Sequence, residues 1–249
     1  MSDLVRTSRD GLVALVEMNR PPANFFDREL LSLVADAIRA CDADRDVRAV
    51  VLCATGRHFC AGADLRGLDV HGIRDIYGQA FRLFGGRKPV VAAVHGAAVG
   101  GGLGLALAAD FRVVAADARL TANFAKLGFH HGFALTATLP RAVGAQIAQD
   151  LLYTGRDVSG VEAGRIGLAD RVVDGDPRLT ALEYARSLAA AAPLALPAIR
   201  ATLRRPLIAE VAAVLELEAT AQGALLGTAD FEEGVAAAIE KRSPGFRGE

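Results

Sequence analysis

The chain has 249 residues, 52% of them hydrophobic, which is ample for one large domain or for a domain with an appended helical piece. A formal net charge of −1 leaves no general basic footprint and excludes nucleic acid as an expected partner, although local Lys and Arg side chains can still meet a phosphorylated small molecule. Cys41, Cys53 and Cys60 are odd in number and lack paired metal-ligand spacing, so neither a disulfide framework nor a metal site is expected, and a reducing cytosol fits best.

The N-terminal segment scatters Asp3, Arg6, Arg9 and Asp10 and has no apolar core of a secretory signal, so a cytoplasmic location is expected. Leu12 to Glu17 reads as a strand ended by the Asn19-Arg20-Pro21-Pro22 turn, after which Asp27 can cap a helix to about Cys41. A second strand, Ala49 to Ala54, leads into the Cys60-Ala61-Gly62 loop, and a third, Val90 to Val94, into a glycine cluster. Leu103 to Ala109 has the small apolar residues of a buried helix and is far shorter than the ~20 residues a membrane span needs. Phe111 to Ala115 and Arg119 to Ala122 give two more short strands. From about Phe133 the chain turns helical, with stretches near 178–192, 207–226 and 229–240 punctuated by Pro193, Pro197, Pro206 and Gly227.

Two of these loops carry the chemistry. His58-Phe59-Cys60-Ala61-Gly62-Ala63-Asp64-Leu65 and Gly96-Ala97-Ala98-Val99-Gly100-Gly101-Gly102-Leu103-Gly104 each follow a strand-like run and offer main-chain N–H groups that almost no side chain can block. Together they form a backbone cradle for a negatively charged oxygen, which points to thioester or other carbonyl chemistry. No G-x-G-x-x-G frame fits the glycines, because Leu105 stands where the last glycine belongs, and phosphate-loop and G-x-S-x-G signatures are absent from the sequence.

Phe59 to Leu65, Ala93-Val94-His95-Gly96, Gly100 to Gly102 with Leu103 to Asp110, and Leu139 to Gly144 resemble, in order, the enoyl-CoA hydratase/isomerase (crotonase) family. Asn19-Arg20-Pro21, Leu152-Tyr153-Thr154-Gly155 and the tail Lys241 to Phe246 extend the resemblance over nearly the whole chain. It implies an α/β fold, a spiral of ββα units over residues 1–190, followed by a helical trimerisation region over 191–249, in a homotrimer or a dimer of trimers. It also implies a coenzyme A thioester as substrate and no bound cofactor. Carried over by position, the oxyanion donors are the N–H groups of Ala63 and Gly101, the latter at a helix N-terminus where unpaired N–H groups and the positive dipole end meet developing charge.

The hydratases of this family place two glutamates around a water, and the matching positions here are Gly104 and Phe124. Neither transfers a proton, and loss of a positioned acid or base costs about 10²–10⁴-fold. Ordinary two-carboxylate hydration is therefore not expected. His131, or its neighbour His130, is the expected acid or base, since an imidazole titrates near neutrality and Gly132 leaves room for substrate. His71 is a lesser candidate, His95 supports the turn before Gly96, and His58 sits at the surface. Asp64 is expected to hold its loop, and Cys60 is expected to be a small buried residue without an evident cationic partner.

For the coenzyme, the expected contacts are Ala61, Ala63, Asp64 and Leu65, with Pro22 and Ala23 near the pantetheine or adenine end. Lys241 and Arg242 are the candidates for the phosphates, against the alternative of a solvated charge pair. Phe124, Phe129 and Phe133 line the acyl pocket or simply pack the core. Two functions follow: an enzyme that passes through a thioester enolate, or a coenzyme A thioester-binding protein without turnover, motivated by the missing glutamates.

Overall fold

In the computed structural model, residues 3–64 and 69–249 are described. A hairpin comes first, β1 (Val5–Asp10), mostly exposed, pairing antiparallel with the buried β2 (Val13–Met18). Helix α1 (Arg28–Ala43) follows, its first turn capped where Asp27 Oδ1 accepts the Leu30 N–H at 2.9 Å. Next come β3 (Ala49–Ala54), α2 (Val70–Phe84), β4 (Val90–Val94), β5 (Ala97–Val99) and α3 (Gly101–Ala108). β6 (Phe111–Ala115) and β7 (Arg119–Thr121) lead to a 3₁₀ turn over Asn123–Leu127, then α4 (Leu135–Val143) and α5 (Ala145–Thr154). β8 (Asp157–Ser159), α6 (Gly160–Arg165), β9 (Arg171–Val173), α7 (Arg178–Ala189), α8 (Ala195–Leu225) and α9 (Ala229–Glu240) complete it.

The main sheet runs β1-β2-β3-β4-β6-β9 and is parallel from β2 onward, while β5, β7 and β8 form a second, smaller sheet. Buried strands of a parallel sheet carry apolar side chains on both faces. β3 illustrates this: Ala49, Val51 and Cys53 face α7 through Ala181, Leu182 and Ala185, and Val50 and Leu52 face the larger core beneath α1, α2 and α3. The ββα order climbs from one sheet to the other, so the loops after β3 and β5 end side by side.

Several elements differ from expectation, β5 and β8 among them, since neither reads as a strand from the sequence. β1 is a mostly exposed edge strand whose polar residues leave no apolar alternation, and α2 lies outside the elements read from the sequence. Pro206, expected to interrupt the helices, lies inside the 31-residue α8. The proline removes one backbone donor. The helix is fastened on both sides of it: Arg200 and Arg204 pair with Asp110 at 2.8 and 2.9 Å, and Val211, Val214 and Leu215 enter the core. α8 packs on α2 and α4, and α9 on the 3₁₀ turn of the same chain. No helix among the described residues is long and apolar enough to cross a membrane.

Candidate active site

Asn24, fully buried with φ of 50°, ties the Arg20–Phe26 turn to the loop after β3 by donating to Thr55 O and His58 O, both at 2.7 Å. Backbone bonds complete the seam: Arg57 N–H to Pro22 O, Ala61 N–H to Ala23 O, Phe26 N–H to Gly62 O and Asp64 N–H to Phe26 O, at 2.8–3.0 Å. On its other side the loop bonds β5, Cys60 N–H donating to Ala97 O and Val99 N–H to Cys60 O, both at 3.0 Å. Ala63 is thus fixed between two neighbouring segments.

Gly100 turns the chain from β5 into α3 at φ of 55°, a left-handed value that a side chain would strain. Its N–H donates to Thr121 O at 2.8 Å and its carbonyl accepts from Leu103 and Gly104. Gly101 begins the helix, where N–H groups have no intrahelical partner. Among the described residues the N–H groups of Ala63 and Gly101 have no acceptor, and both residues line one cavity of about 340 Å³.

That cavity is walled by Phe26, Phe124, Phe129 and Phe133, by Ile73 and Ile76 of α2, and by Val235, Ala238 and Ile239 of α9. Its polar side chains are Asn123, Tyr77 and Gln222. The Tyr77 hydroxyl donates to Gln222 Oε1 at 2.7 Å, and Gln222 Nε2 donates to His130 O at 2.8 Å. Burial, followed by the nearby Glu218, pushes the phenol well above its ordinary range. A Cβ at Gly132 would overlap the Tyr77 hydroxyl, so the glycine leaves room for that pair.

Gly104 and Phe124 both sit in aromatic packing. Phe124 points into the cavity, and Phe133 lies against Gly104, edge-on to Phe26 at 5.3 Å between centroids. Phe133 and Ala134 both have left-handed backbone, φ of 61° and 58°, conformations that persist where surroundings over-determine them. Glu218 of α8 supplies that constraint: its carboxylate accepts from Ala134 N–H at 2.7 Å, Thr136 N–H at 3.0 Å and the Thr136 hydroxyl at 2.6 Å. It thereby caps α4, whose own N-cap residue has no capping side chain. Burial holds the Glu218 pKa above the usual carboxylate value.

His130 and His131 do not reach the cavity wall; Gly132 does. Their rings stack at 4.2 Å behind it, with His131 Nε2 at 2.9 Å from Thr136 Oγ1 and His130 Nδ1 at 2.6 Å from His131 O. Burial, with His130 beside it, lowers His131 to about 4, so the ring is neutral at pH 7. Room beside Gly132 belongs to Tyr77, not to an imidazole.

Among the expected coenzyme contacts, Ala61 lines the cavity with Ala63, Asp64 stands half-buried next to them, and Leu65 lies outside the described residues. Pro22 and Ala23 form the outer seam, Pro22 exposed. Lys241 is exposed at the end of α9, whereas Arg242 is spanned by Glu233 and Glu240 at 2.5–2.7 Å. Burial pushes the Cys60 thiol up to about 12, which leaves it protonated and inert. His71 is exposed, His95 Nε2 meets Gly56 O at 3.2 Å, and His58 is half-buried rather than at the surface. Tyr77, Gln222 and the α9 residues were not expected at the site. The Ile73-Ile76-Tyr77-Ala80 spacing marks a helix face, but nothing local brings Gln222 to it.

A spiral of ββα units with a helical C-terminal region, carrying an apolar cavity between the loops after β3 and β5, is the crotonase architecture. The chain belongs to the enoyl-CoA hydratase/isomerase family, whose model matches residues 8–249. A probable enoyl-CoA hydratase of Bacillus subtilis is 35% identical over 96% of this chain and 97% of its own length. The short-chain-enoyl-CoA hydratase of Clostridium acetobutylicum is 33% identical over 96% of each. The crystal structure of an enoyl-CoA hydratase/isomerase from Pseudoalteromonas atlantica T6c superposes with a TM-score of 0.89 at 32% identity, covering 98% of this chain and 100% of that one.

Proposed function

We propose that this enzyme binds an acyl thioester of coenzyme A with the thioester oxygen between the N–H groups of Ala63 and Gly101, and stabilises enolate charge there. The observation that carries the reading is that these two donors, from separate loops locked together by the Cys60–Ala98 bridge, face one cavity with no other described acceptor. Fixed donors cost no reorganisation as charge develops, and each is worth roughly 3–4 kcal/mol of barrier. The acyl chain fits among the phenylalanines. The coenzyme runs out past Ala61 and Asp64 toward Pro22 and Ala23, with Lys241 available to a phosphate.

Two-carboxylate hydration has no support, because Gly104 and Phe124 provide no carboxyl. His131 and His130 were the expected replacements, but no proton is routed through them here: His131 is bonded to Thr136 and weakly basic. The lining leaves steps in which the thioester enolate forms without a carboxylate or imidazole from the cavity wall. A second reading, thioester binding without turnover, is favoured by the same lining. An intact pair of transition-state donors weighs for the enzyme, since a pure binder has no use for them.

The experiment is incubation of the protein with saturated, 2-enoyl, 3-enoyl, 3-hydroxy and malonyl-type thioesters, with products followed by mass spectrometry. Conversion of any member, lost when a donor is removed, supports the enolate reading. Tight binding with every thioester returned unchanged supports the second. Homotrimer formation is also proposed, with the outward Ile199 and Leu203 of α8 packing on further copies; a light-scattering mass near that of one chain would refute it.

A further inference from the structure

A second groove, of about 540 Å³, lies where β3 and β4 begin, between the segment after α1, the segment before β4 and the connection from α7 to α8. β3 has six residues. At about 3.3 Å per residue, its far end, which leads into the Ala63 loop, is about 20 Å away. No described residue lines both the groove and the thioester cavity.

Four basic side chains, Arg45, Arg48, Arg87 and Lys88, line the groove against two acids, Asp42 and Asp44. Both acids are engaged by backbone: Asp42 accepts the N–H groups of Arg87 and Lys88 at 2.8 and 2.9 Å, and Asp44 accepts the Asp46 N–H at 2.8 Å. Lys88 is engaged as well, its ammonium donating to Cys41 O and Asp44 O at the end of α1. Among the described residues, the guanidinium groups of Arg45 and Arg87 have no hydrogen bond or ion pair, and that of Arg48 has only Ala189 O, at 3.4 Å. The charge behind them is also positive. Buried Arg200 donates to Gly86 O, next to Arg87, shares Asp110 with Arg204, and has no described acceptor for its Nη2.

Three guanidinium groups without a carboxylate match an anion of more than one charge, and their planar forks fit phosphate oxygens two at a time. The end of α7 and the start of α8 add an apolar wall of Leu188, Pro193, Leu194, Leu196 and Pro197, with Leu194 86% exposed. A bare inorganic anion would leave that wall in water, and a fatty carboxylate would bring one charge to three cations. We propose that the groove is a second ligand site for a phosphate ester with an apolar body, of the class of a nucleoside diphosphate. Its phosphates lie on Arg45, Arg48 and Arg87, and its base and sugar lie against Pro193, Leu194 and Pro197.

Equilibrium dialysis with ADP, pyrophosphate, adenosine and decanoate, on the wild type and on Arg45→Ala/Arg87→Ala, tests it. ADP should bind more tightly than each of the other three. The double variant should lose at least about tenfold in ADP affinity, the scale of one charge-assisted hydrogen bond. Leu194→Asp, which sets an acid in the apolar wall, is the second variant and should weaken ADP binding too. Photolabelling of the wild type with 8-azido-ADP should modify residues within 188–197. Absence of ADP binding, pyrophosphate or decanoate bound as tightly as ADP, ADP affinity unchanged in both variants, or labelling confined to residues 55–64 of the thioester site would overturn the proposal.

Discussion

Phe133 occupies the space into which a side chain at Gly104 would grow: a Cβ on Gly104 would lie 2.6 Å from the Phe133 Cβ and 2.9 Å from its Cγ. The glycine therefore makes room for the Phe133 ring, which forms the cavity floor there. Gly104→Ala should be destabilised by overpacking, by about 1–3 kcal/mol, read as a lower midpoint in urea. Gly104→Glu should lose more stability and gain no hydration of a 2-enoyl thioester. Hydration appearing in that variant would show that the floor yields.

Ala63→Pro tests the donor pair. The bridge to Phe26 uses the Gly62 carbonyl and the Asp64 N–H, not the N–H of Ala63, so the substitution removes a donor without cutting that seam. Turnover of whichever thioester is converted should fall about 10²–10³-fold, with the thermal midpoint close to wild type. An unchanged kcat in the folded variant would remove Ala63 from the oxyanion site.

Among the described residues, Asp110 is the sole acid paired with two buried guanidinium groups, Arg200 and Arg204, and it also accepts the Val90 N–H at 2.8 Å. Burial lowers the Arg204 pKa. Asp110→Ala leaves both cations without that partner, and breaking such a buried pair costs about 3–5 kcal/mol. Chemical denaturation should show a loss of that size, together with loosening of α8. A change below 1 kcal/mol, by the same rule, would mean that water reaches the pair.

His131 makes stability pH-dependent. Its folded pKa is about 4 against an ordinary 6.5, so between these values the unfolded chain takes up a proton that the folded chain refuses. Stability should therefore fall as pH drops from about 6.5 toward 4. Glu218, with its pKa raised, works in the opposite sense, contributing at low pH and losing that contribution as pH rises through its folded value. Urea midpoints at pH 7 and pH 5 should fall less in His131→Gln than in the wild type. Identical slopes would place the protonated ring in solvent.

The strands around the site were legible because they are short apolar runs bounded by turns: β3, β4 and β6 have the limits expected from sequence. So was the pairing of the two loops, through glycines that a strand-to-helix turn requires. The far wall of the cavity was not legible. Gln222 and Val235 approach the loops only through packing of α8 and α9 across more than a hundred residues of chain. The imidazole expectation failed to reach the cavity for a similar reason, since a tyrosine from α2 takes the space beside Gly132.

Residues as far apart in the chain as Phe25 and Ile239 wall the same cavity. A ligand held there binds the folded chain and not the unfolded one, so its binding free energy adds to the free energy of global unfolding, by about 2.7 kcal/mol at a hundredfold excess over Kd. Thermal stabilisation by a thioester is then a measure of the entire molecule's integrity, and proteolytic survival should rise with acyl-thioester concentration at cleavage sites far from the cavity itself.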